Sequence, residues 1–157
     1  MNTSDLRQKI ALAWAGENIP PRHLLEGSDD DGLDFVRAFS GRHWDDIDFK
    51  RRWISGGLIG LAPAGLKYYV RCYLDSALNV NDGNCGEPEW ELMFWLIQRS
   101  ERSKTAAQWS PAQAECIADF VAWAHSNPDL AGCVDAKALE RSVKWWRDYS
   151  KRMTGRS

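Results

Sequence analysis

The stretch Leu61-Ala62-Pro63-Ala64-Gly65-Leu66-Lys67-Tyr68-Tyr69-Val70-Arg71-Cys72-Tyr73-Leu74 limits the possible folds more than any other part of the sequence. Pro63 stands where a first helical turn has no use for a backbone N–H, so a helix starts there. Leu61 is placed to staple onto Leu66 across that start. Leu66, Tyr69, Val70, Tyr73, Leu74 and Ala77 then recur at helical spacing, which predicts one buried stripe running to about Asn79. Trp109-Ser110-Pro111-Ala112-Gln113 marks a second start more fully. The Ser110 hydroxyl can accept from the Gln113 amide while the Gln113 side chain reaches back, and Pro111 takes the first helical position. That helix runs to about His125, with Ala114, Ile117, Ala118, Val121 and Ala124 inward and Phe120 and Trp123 widening the stripe.

The same periodicity predicts the remaining elements. A first helix runs from a cap at Ser4 to about Ala15, with Leu6, Ile10, Ala13 and Trp14 on one face, and Gly16 stops it. Pro20 and Pro21 fix an extended turn. A short helix from Gly32 to Ser40 turns Leu33, Val36 and Phe39 inward, and Asp45 or Asp46 caps another to about Ser55 with Phe49 and Trp53 sharing a face. Glu87-Pro88-Glu89 opens a helix through Ile97. Trp90, Met93, Phe94 and Ile97 lie on one side of it and Leu92, Trp95 and Leu96 on the other, so it belongs in the middle of the domain. Asp135 caps a last helix to about Arg152, with Leu139, Val143 and Trp146 inward. No segment alternates with period two. The chain therefore reads as all-α: a single-domain orthogonal bundle of about six or seven helices over residues 1–157, with a flexible tail from about residue 153.

Nine tryptophans and four tyrosines make the core of such a bundle aromatic. Each indole brings a large apolar area and an N–H that wants an acceptor, so seven or more of the rings are expected inside, with one or two left for a partner. Cys72, Cys85, Cys116 and Cys133 form no C-x-x-C pair and read as reduced thiols. His23, His43 and His125 are too far apart in sequence for one helix to offer two imidazoles to a metal. Asp29-Asp30-Asp31 lacks the order of a calcium loop, and the glycine-containing turns lack a G-K-[ST] ending. No metal or cofactor is expected, and no catalytic constellation announces itself. No segment approaches the run of about 20 apolar residues that a membrane span needs, and the first residues carry no signal pattern. The expectation is a cytoplasmic protein.

Charge is segregated although the formal net charge is only −2. Residues 26–48 hold Glu26, Asp29, Asp30, Asp31, Asp34, Asp45, Asp46 and Asp48 against Arg37 and Arg42. Residues 137–157 hold Lys137, Arg141, Lys144, Arg147, Lys151, Arg152 and Arg156 against Glu140 and Asp148. Carboxylates gathered on one surface steer a basic protein toward it and repel nucleic acid. Asp29, Asp30, Asp31, Asp34, Asp45, Asp46 and Asp48 are therefore the candidate docking residues, with Trp44 as an aromatic anchor. Two other readings stay open: a small-molecule or enzymatic site in an aromatic pocket of Tyr68, Tyr69 and Tyr73, and a nucleic-acid-binding regulator that stacks bases at Lys144-Trp145-Trp146-Arg147.

The order Trp44-x-x-Ile47, then Leu61-x-Pro63-x-Gly65-x-x-Tyr68-Tyr69, then Ser110-Pro111-x-Gln113 resembles a family of small uncharacterised bacterial all-α proteins, over about residues 33–125. The resemblance brings no activity and no site residues. Some similar proteins occur where bacterial toxins are paired with dedicated inhibitors. It thus implies a non-catalytic immunity protein whose partner is a cognate basic toxin domain.

Overall fold

The structure, a computed structural model, describes residues 1–25, 32–49, 57–79, 86–98, 108–127, 130 and 134–155, of which 32–35, 59 and 87 are described for the backbone alone. Among the described residues all regular structure is helical: α1 (Thr3–Ala13), α2 (Gly32–Phe39), a single turn α3 (Gly57–Gly60), α4 (Pro63–Ala77), α5 (Glu87–Ile97), α6 (Pro111–Ser126) and α7 (Ala136–Thr154). Two 3-10 turns, Arg22–Leu24 and Trp44–Asp46, join them. The all-α expectation holds. No helix among the described residues is long and apolar enough to cross a membrane.

The sharp starts read from the sequence are present. Ser110 Oγ accepts from the Gln113 amide at 3.1 Å while Gln113 Oε1 accepts from the Ser110 amide at 3.1 Å, and Pro111 leads the helix. Pro63 leads α4 behind Ala62, whose amide donates to the Leu25 carbonyl at 3.1 Å. Gly65 leaves room for Leu25 beside this contact: a Cβ there would lie 2.8 Å from Leu25 Cδ2, and that side chain would have to shift. Asp135 caps α7 through the Lys137 amide.

Two expectations need correction. The cap of α1 is Asn2, whose side-chain oxygen accepts from the Asp5 amide at 2.8 Å, and Ser4 lies inside the first turn. The asparagine oxygen already satisfies the third free N–H, which leaves a serine two residues later without a capping role. The second correction concerns the helix expected from Asp45 or Asp46. Residues 44–46 make one 3-10 turn capped by His43, and Ile47 is extended with ψ 116°. Both Trp44 and Phe49 pack on α4, against Tyr68 and Tyr73. A continuous α-helix would hold residues five apart roughly 140° from one another, so it could not turn both rings to the same neighbour. The rest of that expected helix, with Trp53, lies outside the described residues.

The longest seam joins α6 to α7; α6 also packs on α1, and α4 packs on α5, α1 and both 3-10 turns. Four indoles meet where these helices converge. Trp109 lies 5.8 Å from Trp95, 5.7 Å from Trp146 and 6.5 Å from Trp14, ring centre to ring centre. Polar ties surround the cluster: Trp14 Nε1 donates to the Lys67 carbonyl at 2.8 Å, Tyr149 to that of Trp109 at 3.1 Å, and Ser142 to that of Leu96 at 2.6 Å. The Nε1 atoms of Trp95, Trp109 and Trp146 are buried without an acceptor among the described residues, so the bond expected for every indole is not found there. Seven of the tryptophans are buried or half-buried, Trp90 is exposed, and Trp53 lies outside the described residues.

Cys72 and Cys116 are buried free thiols; Cys85 and Cys133 lie outside the described residues. Burial pushes the Cys116 thiol up to about 12 from an ordinary 9.0 and carries Cys72 well above it. Burial also raises Tyr69 and Tyr73. These groups stay neutral in the folded state where the unfolded chain already loses its protons, so their contribution is complete below about pH 9 and is lost as pH rises through the folded values. Denaturant unfolding measured at successive alkaline pH values should show stability falling steadily above about pH 9.

Candidate functional site

The acidic turn owes its position to α4. Chain reversal after α2 uses Gly41 at φ 72°, a left-handed conformation that suits glycine. The Tyr69 hydroxyl, from α4, donates to the carbonyls of Phe39 and Arg42, the latter at 2.9 Å, and so ties both sides of the reversal to the helix. Trp44 follows and is only 6% exposed. Its ring lies 4.6 Å from that of Tyr68, and the Arg71 guanidinium sits 4.2 Å from its centre. A cation over an indole face is attracted by the ring quadrupole, the more so where water is excluded. The buried Trp44 Nε1 has no hydrogen-bond partner among the described residues.

With Trp44 fixed inward, the residues after it face out. Asp45, Asp46 and Asp48 are exposed, and the Asp45 side chain is 69% accessible. The turn is closed by bonds from the Asp46 amide to the His43 carbonyl at 3.0 Å and from the Ile47 amide to the Trp44 carbonyl at 3.3 Å. His43 Nδ1 lies 3.3 Å from the Asp45 amide nitrogen and 3.3 Å from its carboxylate, which holds the ring over the turn.

Between this turn and the C-terminal half of α4 lies a cleft of about 270 Å³. Trp44, Asp45, Ile47 and Phe49 form one wall, and Cys72, Asp75, Ser76 and Asn79 the other. Asp75 lies 3.6 Å from Arg71 Nε, an ion-pair distance longer than a hydrogen bond. Burial raises its carboxyl above the usual range and Asp45 adds to that, while Arg71 and Arg7 pull it down without reversing the direction. Arg7, from α1, donates to Asn79, and Ser76 donates to Glu89 of α5 at 2.7 Å. The cleft is thus braced by α1 and α5.

Of the sequence-predicted docking residues, Asp45, Asp46 and Asp48 come together on one exposed segment. Trp44 is beside them but beneath the surface. The ring supports the turn through its contacts with Tyr68 and Arg71, and little of it is left for a partner to touch. Asp34 lies on α2, with its backbone alone described, and Asp29, Asp30 and Asp31 lie outside the described residues. Tyr68, Tyr69 and Tyr73 are buried at 2%, 0% and 0% exposure and line neither this cleft nor the next.

That second cleft, of about 290 Å³, includes Asp119, Trp123, Ser126 and Arg147. Asp119 is engaged by Lys9 of α1 and, at 3.6 Å, by Arg147 of α7, so its charge joins three helices. On α7, Lys137, Arg141, Lys144, Arg147, Lys151 and Arg152 are all exposed, and Trp145 is half-buried and stacked on Tyr149. No group of three ligating side chains that could hold a metal occurs among the described residues.

Sequence reasoning missed two features. Trp90 is 48% exposed and stacked on Phe94 at 5.2 Å, although its helix is apolar on both sides and gives no sign of which indole is left out. Asp75 was passed over as well; its one signal is the i, i+4 spacing from Arg71. No family model, no curated protein and no solved structure matches this chain.

Trp44 carries the turn, so Trp44→Ala should lower unfolding free energy by about 3–5 kcal/mol, in the range of other buried aromatic truncations. Urea denaturation measures it. A loss under about 1 kcal/mol would mean that the ring merely rests on α4.

Proposed function

We propose that this protein is a non-catalytic binding module, most concretely an immunity protein that neutralises a cognate bacterial toxin by covering it with the acidic surface around residues 44–48. The observation that carries this reading is the combination of a buried Trp44, packed against Tyr68 and Arg71, with the exposed carboxylates of Asp45, Asp46 and Asp48 directly after it. A segment already ordered before docking gives up little conformational freedom when it binds. Carboxylates grouped on such a segment speed the encounter with a basic partner and fix its register.

Hydrogen bonds within the turn and the Tyr69 clamp support the same reading, since they set the carboxylates in one geometry. Because Trp44 stays beneath the surface, the side chains that insert at the interface come from the partner. The motif order that resembles proteins of toxin–inhibitor settings supports a toxin as that partner.

Two measurements test the reading. Tagged protein, incubated at low salt in an extract of the native host, should capture a basic protein; capture of none contradicts the proposal. With the partner in hand, reversing Asp45, Asp46 and Asp48 to lysine should slow association at least about tenfold and flatten its salt dependence, with the melting temperature nearly unchanged. Unaltered association kinetics would discard charge steering by this turn.

A further inference from the structure

The cleft beside the acidic turn has a composition of its own. Ile47 and Phe49 give it a half-buried apolar wall, and Asp45 and Asp75 bring carboxylates to it from two different elements. At about 270 Å³ it falls below the roughly 300–1,000 Å³ of sites for drug-sized ligands and suits a single side chain. From these observations we infer that the cleft between the 44–46 turn and α4 receives one lysine or arginine side chain of a basic polypeptide, its stem along Ile47 and Phe49 and its cationic head between Asp45 and Asp75. This inference rests on the binding-module reading and names the partner group that the same surface takes.

Three features support it. First, long cationic side chains bury an aliphatic stem on apolar surface while keeping the charge among polar groups, and the cleft offers both environments side by side. Second, the cations already near Asp75 do not satisfy it: Arg71 stands off at 3.6 Å and is held over Trp44, and Arg7 is engaged with Asn79. Burial, with Asp45 adding to it, holds the Asp75 carboxyl above its ordinary range, and a positive charge brought beside it favours the ionised form. Third, Trp44 forms part of the cleft wall and adds aromatic surface beside the two carboxylates.

The test uses the full chain and small probes, so it needs no knowledge of the partner. Nα-acetyl-lysine methylamide and Nα-acetyl-arginine methylamide are titrated while the Trp44 indole, Ser76 amide and Asn79 side-chain resonances are followed by NMR. The uncharged norleucine analogue is the control. Saturable shifts at these positions are expected, with a dissociation constant on the order of 1–10 mM for at least one cationic probe and none for norleucine. Asp75→Asn should weaken binding about tenfold or more, as a lost charge contact does. Asp45→Asn, which alters an exposed side chain and leaves folding intact, should weaken it less but measurably. Equal response to norleucine, no saturable shift with either cation, or unchanged affinity in both variants overturns the inference. Saturable lysine or arginine binding by a protein that captures no basic partner would uphold the cleft and sink the proposed function. Partner capture unaffected by both substitutions would do the reverse.

Discussion

Tyr69 donates its hydroxyl to the carbonyls of Phe39 and Arg42, which flank Gly41, so the reversal that leads from α2 to the acidic turn is fixed to the face of α4. The Phe39 carbonyl also accepts from the Arg42 amide at 3.1 Å, so the phenol adds a tie from α4 to a turn that closes on itself. Burial also raises the pKa of that phenol above its ordinary value, which favours the protonated, donating form. Without this clamp only the contact of Trp44 with Tyr68 and Arg71 and the bond from the Arg42 amide to the Phe39 carbonyl would order the reversal. The exposed carboxylates, the cleft and its apolar wall all inherit their positions from it.

A second consequence is the division of labour between aromatic groups. Trp14, Trp95, Trp109 and Trp146 join α1, α5, α7 and the start of α6 in one cluster, while Trp44, Tyr68, Tyr69, Tyr73 and Phe49 join the acidic segment to α4. The first group holds the bundle. The second holds a surface. Charges are arranged around both: Asp119 is shared by Lys9 and Arg147 between helices, whereas Asp45 and Asp75 meet at a cleft with only partial compensation. A carboxylate neutralised on two sides braces the fold, and one whose charged form burial disfavours has that form stabilised when a cation comes beside it.

Much of the bundle was legible because its information is local. Pro63, the Ser110–Gln113 box and the Asp135 cap each act within one turn, and their helices start where the residues say. The segment after His43 was not legible, since Asp45 and Asp46 look like caps in isolation. What overrides them is distant in sequence: Tyr68, Arg71 and Tyr73 draw Trp44 and Phe49 onto one helix face and break the helical path at Ile47. The same tertiary pull explains Trp44. An indole amid aspartates reads as an exposed anchor, and only the packing of α4 turns it inward. Trp90 is the opposite case, an indole in a wholly apolar helix that the arrangement of neighbours leaves outside. The acidic character of residues 45–48 was legible from composition, while the cleft depended on Asp75, which reaches it from another element.

Hydrogen exchange at the turn measures its rigidity directly. If the Tyr69 clamp and the buried Trp44 hold the acidic segment as described, the Asp46 and Ile47 amides, bonded to the His43 and Trp44 carbonyls, exchange about as slowly as amides in the middle of α4. In Tyr69→Phe the same two amides accelerate while the α6–α7 seam keeps its protection. Wild-type Asp46 and Ile47 amides that exchange at the rate of an open peptide would contradict the claim that this surface is ordered before any partner arrives.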